Sequence, residues 1–129
     1  MRTLIIEDQA STAASLRASV EALGHPVVGM TGSFSTAVDL LLTLRDVDLA
    51  FIDLALGDDA EPPRTRAGEP PASIGALLVN LAASREIPVV VTADRTPIPD
   101  QLEGVALLAK PFSADQVASV LASILKPAA

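Results

Sequence analysis

Five short apolar runs recur along the chain, and longer segments with apolar residues at helical spacing separate them. The runs occupy residues 3–6, 26–30, 49–52, 88–91 and 105–109. A continuous apolar run bounded by polar residues is typical of a strand that is buried on both faces, as in a parallel sheet. The second run starts with a proline and contains a glycine, which favours an edge strand.

Five helices are predicted between and after these runs, from capping residues and from apolar spacing. The third helix is predicted over about 73–84, and a short fourth helix of roughly two turns is predicted around residues 100–102. The predicted N-caps are Ser11, Ser33 or Ser35, and Ser113, which forms a capping box with Gln116. Gly24 is predicted to end the first helix at its C′ position, and Pro127 to end the last one.

Each predicted helix has a stripe of apolar residues that should face the sheet. The stripes consist of Leu16, Val20 and Leu23 in the first helix, Val38, Leu41 and Leu42 in the second, Ile74, Leu77, Leu78 and Leu81 in the third, and Val117, Val120, Leu121, Ile124 and Leu125 in the last. Strands that alternate with helices predict a parallel α/β sheet covered on both faces. The fold class predicted is a flavodoxin-like (βα)5 three-layer sandwich, with a five-stranded sheet of order 2-1-3-4-5.

Composition narrows the classes of function. The 129 residues contain no cysteine and one histidine, His25, which excludes disulfides, thiolate chemistry and a histidine-rich metal site. The net charge of −7 argues against nucleic acid as a partner, because phosphate contacts need clustered basic residues. No apolar run is long enough for a signal peptide or a membrane span, so we expect a cytoplasmic protein without a membrane partner.

Polar residues of a particular kind follow four of the five runs. Glu7 and Asp8 follow the first run, Asp53 the third, Thr92 the fourth and Lys110 the fifth. In open α/β sheets, ligands bind outside the carboxyl ends of the strands. In the order 2-1-3-4-5 the third strand lies between the first and the fourth, so these side chains should face one crevice. The long side chain of Lys110 should cover most of the ~10 Å between strands three and five.

Three carboxylates placed so close together repel one another, and a divalent cation would remove that conflict. Because only oxygen ligands are available, the site suits Mg²⁺ better than zinc. Carboxylates, a hydroxyl and an ammonium group around a metal are the groups that phosphoryl transfer requires. The sequence therefore predicts a magnesium-dependent phosphoryl site.

These motifs together resemble the receiver domain of two-component response regulators. The resemblance extends over essentially the whole chain and depends on four motifs, each following its own strand. The motifs are Glu7-Asp8, Asp53 within Phe51-Ile52-Asp53-Leu54, Thr92-Ala93, and Lys110-Pro111-Phe112.

The resemblance implies a role for each matching residue. Asp53 is similar to the phosphoacceptor. The implied ligands of Mg²⁺ are Glu7, Asp8, Asp53 and the backbone carbonyl of Ala55, with Asp8 as a direct ligand. The implied phosphoryl-binding residues are Thr92, Ala93 and Lys110, and Pro111 is expected in the cis form.

The resemblance also implies a partner and a mode of action. A histidine kinase or a histidine phosphotransferase would donate the phosphoryl group, and phosphorylation would change the affinity for a downstream protein whose identity stays open. The protein would be a switch rather than a turnover enzyme. We expect residues 1–129 to form a single receiver domain without an output domain, and homodimerisation stays open.

Two departures from the family keep alternatives open. Leu107 stands where receivers often have an aromatic switch residue, and residues 57–71, rich in proline and arginine, are predicted to form a long loop. The first alternative is therefore an interaction module that acts without phosphorylation. The second is a small metal-dependent phosphatase with Asp53 as nucleophile, for which Asp58 and Asp59 are the only candidates for the general acid.

Overall fold

The architecture is that of a parallel sheet between two helical layers. The structure, a computed structural model, describes residues 2–54, 74–93, 106–110 and 112–125. Its strands are β1 (Thr3–Ile6), β2 (Val27–Thr31), β3 (Leu49–Asp53), β4 (Val89–Ala93) and β5 (Ala106–Ala109). They form one sheet in the order β2-β1-β3-β4-β5, and every neighbouring pair is parallel. The flavodoxin-like fold class is therefore confirmed, and each apolar run corresponds to a strand.

Four helices lie within the described residues. They are α1 (Ala10–Ala22), α2 (Phe34–Thr43), α3 (Ile74–Ser84) and α4 (Ala114–Leu125). The short helix predicted around residues 100–102 and the loop predicted over residues 57–71 lie outside the described part of the chain. None of the helices among the described residues is long and apolar enough to cross a bilayer.

The three central strands, β1, β3 and β4, bury side chains on both faces, as their continuous apolar runs predict. Successive side chains of a strand point to opposite faces, so each central strand supplies both cores. Leu4 and Ile6 of β1 pack in the core beneath α2 and α3, whereas Ile5 packs in the core beneath α1 and α4. Phe51 of β3 is the largest of the fully buried side chains and lies in the second of these cores.

Two of the predicted helix starts are confirmed and one is wrong. Ser33 caps α2 by accepting a hydrogen bond from the backbone N–H of Thr36. Ser113 and Gln116 form the predicted capping box at the start of α4. Ser11 is not a cap, because α1 begins at Ala10, two residues earlier than a cap at Ser11 implies, and its N-cap residue is Gln9. Gly24 follows α1 with a φ of +90°, as a C′ glycine requires.

Two predicted core positions are wrong, since Leu23 and Leu42 are exposed. Leu23 is the C-cap of α1 and has left the helical stripe, and its side chain is 44% exposed. Leu42 is 47% exposed because it lies about 100° around α2 from the fully buried Leu41. Leu107 is 40% exposed, since β5 is an edge strand and only Leu108 of its two leucines faces the core.

Candidate functional site

Four of the predicted site residues lie at the carboxyl ends of strands, with their side chains on the same face of the sheet. Glu7, Asp53, Thr92 and Lys110 each come two positions after a residue of the core beneath α1 and α4. Those core residues are Ile5, Phe51, Val90 and Leu108, in the same order. A strand repeats its facing every two residues, so the four polar side chains leave their strands on the same side. The regular alternation therefore converts four distant positions into one cluster.

Asp53 and Thr92 form the centre of this cluster. They are paired in register at the carboxyl ends of β3 and β4. Asp53 is 2% exposed and Thr92 is 1% exposed. The backbone N–H of Leu54 donates to the carbonyl of Thr92 at 2.9 Å, which continues the ladder beyond Asp53. The structure thus holds a carboxylate and a hydroxyl side by side at the ends of two neighbouring strands.

Lys110 reaches across the ends of the strands to two acids. Its Nζ lies 2.7 Å from Oε1 of Glu7 and 3.3 Å from Oδ2 of Asp53. Burial by itself would lower the pKa of the Lys110 ammonium, but the contact with Glu7 and the charges of Asp53 and Glu7 outweigh it and raise the pKa above its ordinary value of 10.5. The reach predicted for this side chain is therefore present, and its positive charge is held between two carboxylates.

The backbone fixes the position of both partners of this ion pair. The N–H of Glu7 donates to the carbonyl of Thr31 at 2.9 Å, and Oε2 of Glu7 accepts from the N–H of Gln9 at 3.1 Å. The N–H of Lys110 donates to the carbonyl of Ala93 at 2.8 Å. Because both chain segments are hydrogen-bonded to adjacent strands and Gln9 also holds the Glu7 carboxylate, the side chain of Lys110 is the part that can rearrange.

The third acid completes a group that could hold a cation. Carboxylate oxygens of Glu7, Asp8 and Asp53 all lie within 4.8 Å of one another. Glu7 and Asp53 are buried, and Asp8 is exposed, so an ion could enter from the side of Asp8. Three carboxylates and one ammonium leave an excess of negative charge.

Glu7 gives the sharpest test of whether these residues suit a metal. Its Oε1 is buried and contacts the Lys110 ammonium at 2.7 Å, and a carboxylate oxygen can accept more than one partner. A buried carboxylate oxygen with spare acceptor capacity, next to two further carboxylates, is the donor set that Mg²⁺ prefers. These residues therefore fit a magnesium ion.

The remaining predicted site residues divide into described and undescribed positions. Ala93 ends β4 directly after Thr92 and is 6% exposed, so the position next to the hydroxyl carries only a methyl group. Ala55, with its predicted carbonyl ligand, and Pro111, with its predicted cis bond, lie outside the described residues, as do Asp58 and Asp59.

A cleft beside the ammonium group contains residues that the sequence did not single out. Its volume is about 180 Å³, and Ser11, Thr12 and Ser15 of α1 line it together with Lys110 and Phe112. Ser11, predicted as a helix cap, lies in this lining instead. The spacing of these three hydroxyl residues indicates that they lie on one side of α1. It predicts that they line the cleft only when the position of α1 relative to β5 is known.

Comparison with known proteins supports the same interpretation. The chain is 32% identical over 126 residues to the phyllosphere-induced regulator PhyR of Methylorubrum extorquens, a match that covers 95% of this chain and 42% of that regulator. The chain thus spans less than half the length of this curated relative. No family model matches the chain.

Solved structures resemble the fold over almost its whole length. A signal receiver domain of a modulated diguanylate cyclase from Desulfovibrio desulfuricans G20 matches with a TM-score of 0.71 and 26% identity, over 94% of this chain and 90% of that one. The anti-anti-sigma factor PhyR from Bartonella quintana matches with a TM-score of 0.70 and 26% identity, over 96% of this chain and 46% of that one. Together with the strand order and the sequence similarity, these matches show that the chain is a response-regulator receiver domain.

Proposed function

We propose that Asp53 accepts a phosphoryl group in a magnesium-dependent reaction and that the domain acts as a signalling switch. The observation that carries this proposal is the convergence of Asp53, Thr92 and Lys110 with two further carboxylates at one end of the sheet. A structural role alone does not account for this cluster, because buried charges of like sign cost stability.

The chemistry follows from the groups present. A carboxylate oxygen of Asp53 attacks the phosphorus of a phosphohistidine on the donor protein, a histidine kinase or a histidine phosphotransferase. The new O–P bond forms as the P–N bond breaks, and the histidine nitrogen keeps the electron pair and takes a proton from solvent. Lys110 and the Thr92 hydroxyl then hold phosphoryl oxygens, and the small Ala93 leaves room for them.

Glu7, Asp8 and Asp53 would hold Mg²⁺, with the carbonyl of Ala55 as a further ligand. Bound Mg²⁺ supplies positive charge to the oxygens of the phosphoryl group. Lys110 has a double role in this scheme. It pairs with Glu7 and Asp53 before phosphorylation, and it turns to the phosphoryl group afterwards. The regular backbone hydrogen bond of Lys110 permits this change, because only its side chain needs to move.

The output is a change in affinity for a protein partner in the cytoplasm rather than turnover of a substrate. The relative from Bartonella quintana is named an anti-anti-sigma factor, but this chain matches less than half of that protein. The named activity therefore does not pass to this chain as a whole. We propose the phosphorylation step as the shared property and leave the downstream protein open.

Leu107 favours a second candidate, an interaction module that acts without phosphorylation. It stands where receivers often carry an aromatic switch residue, and its side chain is 40% exposed. Leucine cannot report the state of Thr92 through an aromatic ring, so a constitutive binding surface would explain this substitution. The cluster around Asp53 favours the first candidate, because a constitutive surface has no use for it.

Intact-mass spectrometry separates the two candidates. The purified protein is incubated with Mg²⁺ and acetyl phosphate, and then with a phosphorylated histidine phosphotransferase if the small donor gives no product. We expect one phosphoryl adduct, lost in EDTA and in Asp53→Asn and retained in Asp39→Asn, a matched change at an exposed aspartate. No adduct from either donor, or an equal adduct in Asp53→Asn, would contradict the proposal.

A further inference from the structure

Gly32 lies unusually close to the backbone that carries the acidic pair. It directly follows β2, and a Cβ added there would lie 2.8 Å from Cα of Asp8, 3.2 Å from Cβ of Asp8 and 3.2 Å from the carbonyl oxygen of Glu7. Among the described glycines only Gly24 has a positive φ, so Gly32 is not needed for an unusual backbone conformation. The close approach of two chain segments is the remaining reason for a glycine here.

The segment around Gly32 is anchored on both sides. Before it, the carbonyl of Thr31 accepts the N–H of Glu7 at 2.9 Å. After it, the N–H of Ser33 donates to Oγ1 of Thr31 at 3.1 Å, and Oγ of Ser33 caps α2 through the N–H of Thr36. An added methyl group at Gly32 would therefore press on the backbone of Asp8, which has no rotamer by which to move aside.

We propose that Gly32 is a positioning residue for Asp8. By leaving out a side chain, it lets the backbone after β1 lie where the Asp8 carboxylate reaches within 4.8 Å of the carboxylates of Glu7 and Asp53. This inference rests on the proposed function, because it concerns the site that we propose to bind Mg²⁺. A methyl group at Gly32 would move Asp8 by several tenths of an ångström and weaken divalent-cation binding.

The test measures the affinity for Mn²⁺, which replaces Mg²⁺ in the experiment. Electron paramagnetic resonance measures the concentration of free Mn²⁺. We expect Gly32→Ala to weaken Mn²⁺ binding about tenfold, since changes in residues that orient metal ligands cost about 10- to 100-fold in affinity. The melting temperature of each variant in EDTA shows whether it is folded.

Gly29→Ala is the matched control. It makes the same chemical change in β2, and its Cβ would lie 2.9 Å from Cδ1 of Leu4, a flexible side-chain end in the core. We expect this variant to melt at a lower temperature and to bind Mn²⁺ with unchanged affinity. A general loss of stability would affect both variants alike, whereas a positioning role weakens Mn²⁺ binding in Gly32→Ala alone.

A double-mutant cycle shows whether Gly32 acts through Asp8. If it does, Gly32→Ala causes no further loss of Mn²⁺ affinity in the Asp8→Ala background. An equal loss in both backgrounds would overturn the proposal. Wild-type affinity in Gly32→Ala would also overturn it, and so would a failure of Gly32→Ala to fold while Gly29→Ala folds, because Gly32 would then support the fold as a whole. If the wild-type protein bound no Mn²⁺, the proposed magnesium site itself would be wrong.

Discussion

The centre and the edges of the sheet differ in which side chains they bury. Polar side chains are buried at the ends of the central strands, whereas apolar side chains are exposed on the edge strands. At the carboxyl ends of the central strands, Glu7, Asp53 and Thr92 are at most 4% exposed. On the edge strands, Met30 of β2 and Leu107 of β5 are 41% and 40% exposed. Buried charges cost stability unless they are paired, whereas scattered exposed apolar residues are ordinary. The buried charges of the site therefore lower the stability of the fold at the centre of the sheet. We expect a substitution there to change both the free energy of unfolding and the chemistry of the site.

The largest expected effect on stability comes from removing the Lys110 ammonium, which pairs with two buried acids. Lys110→Met should lower the free energy of unfolding by about 3–5 kcal/mol in EDTA, because it removes the ammonium group that pairs with the buried carboxylates of Glu7 and Asp53. Urea denaturation measures this loss. Arg17→Met is the control, since Arg17 and Glu21 form an ion pair in which both side chains are about half exposed, and it should cost less than about 1 kcal/mol. Equal losses in the two variants would contradict the account.

The two leucines of β5 give the next largest contrast. Leu108 is 3% exposed and lies in the core beneath α1 and α4, whereas Leu107 faces outward. Leu108→Ala should cost about 2–3 kcal/mol of unfolding free energy, because it leaves a cavity. Leu107→Ala on the same strand should cost less than about 1 kcal/mol. A similar cost at both positions, measured by thermal or urea denaturation, would show that Leu107 is covered in solution.

Asp53→Asn should have a smaller effect of opposite sign. Removing one of three neighbouring carboxylates relieves repulsion, so the metal-free protein should gain about 1 kcal/mol of unfolding free energy while losing phosphorylation. Urea denaturation in EDTA measures the gain, with Asp39→Asn as the control for a loss of charge at an exposed site. A loss of stability in Asp53→Asn would mean that its pairing with Lys110 outweighs the repulsion.

The smallest effect should appear in the alkaline stability of the metal-free protein. The pKa of Lys110 is raised above 10.5 in the folded state, so its ion pairs contribute fully below that pH and are lost as the pH rises through the folded value. The melting temperature of the wild type should therefore fall above about pH 10.5 more steeply than that of Lys110→Met. Lys126→Met, which removes the only other lysine of the chain, should retain the wild-type slope.

The fold could be predicted largely because each strand is a continuous apolar run with a polar end. Such runs can be identified without knowledge of their neighbours, and the alternation of strands and helices predicts a parallel sheet. The strand order 2-1-3-4-5 was predicted from the flavodoxin-like fold class. Caps were predicted correctly where a serine was followed by a suitable partner, as with Ser113 and Gln116. The prediction of Ser11 as a cap is wrong because α1 begins two residues earlier than it implies, directly after Gln9, whose N–H donates to Oε2 of Glu7.

The sequence predicted that Glu7, Asp53, Thr92 and Lys110 lie close together, but not how their side chains pair. The strand ends identified which residues meet, since parallel strands deliver their ends to one edge of the sheet. That Lys110 contacts Glu7 more closely than Asp53 depends on side-chain geometry across β4, β3 and β1, which the sequence does not encode locally. The closeness of Gly32 to Asp8 likewise arises between segments that are distant along the chain.

One measurement tests most directly the claim that the buried acids, Thr92 and Lys110 act as one magnesium-dependent phosphoryl site. The melting temperature is recorded with Mg²⁺, with beryllofluoride as a mimic of the phosphoryl group, and with both together. A ligand that binds only the folded state raises the melting temperature. We predict that both together raise the melting temperature clearly above the value with either one alone, and that this additional rise is absent in Asp53→Asn. An unchanged melting temperature in the wild type, or an equal rise in Asp53→Asn, would contradict the account.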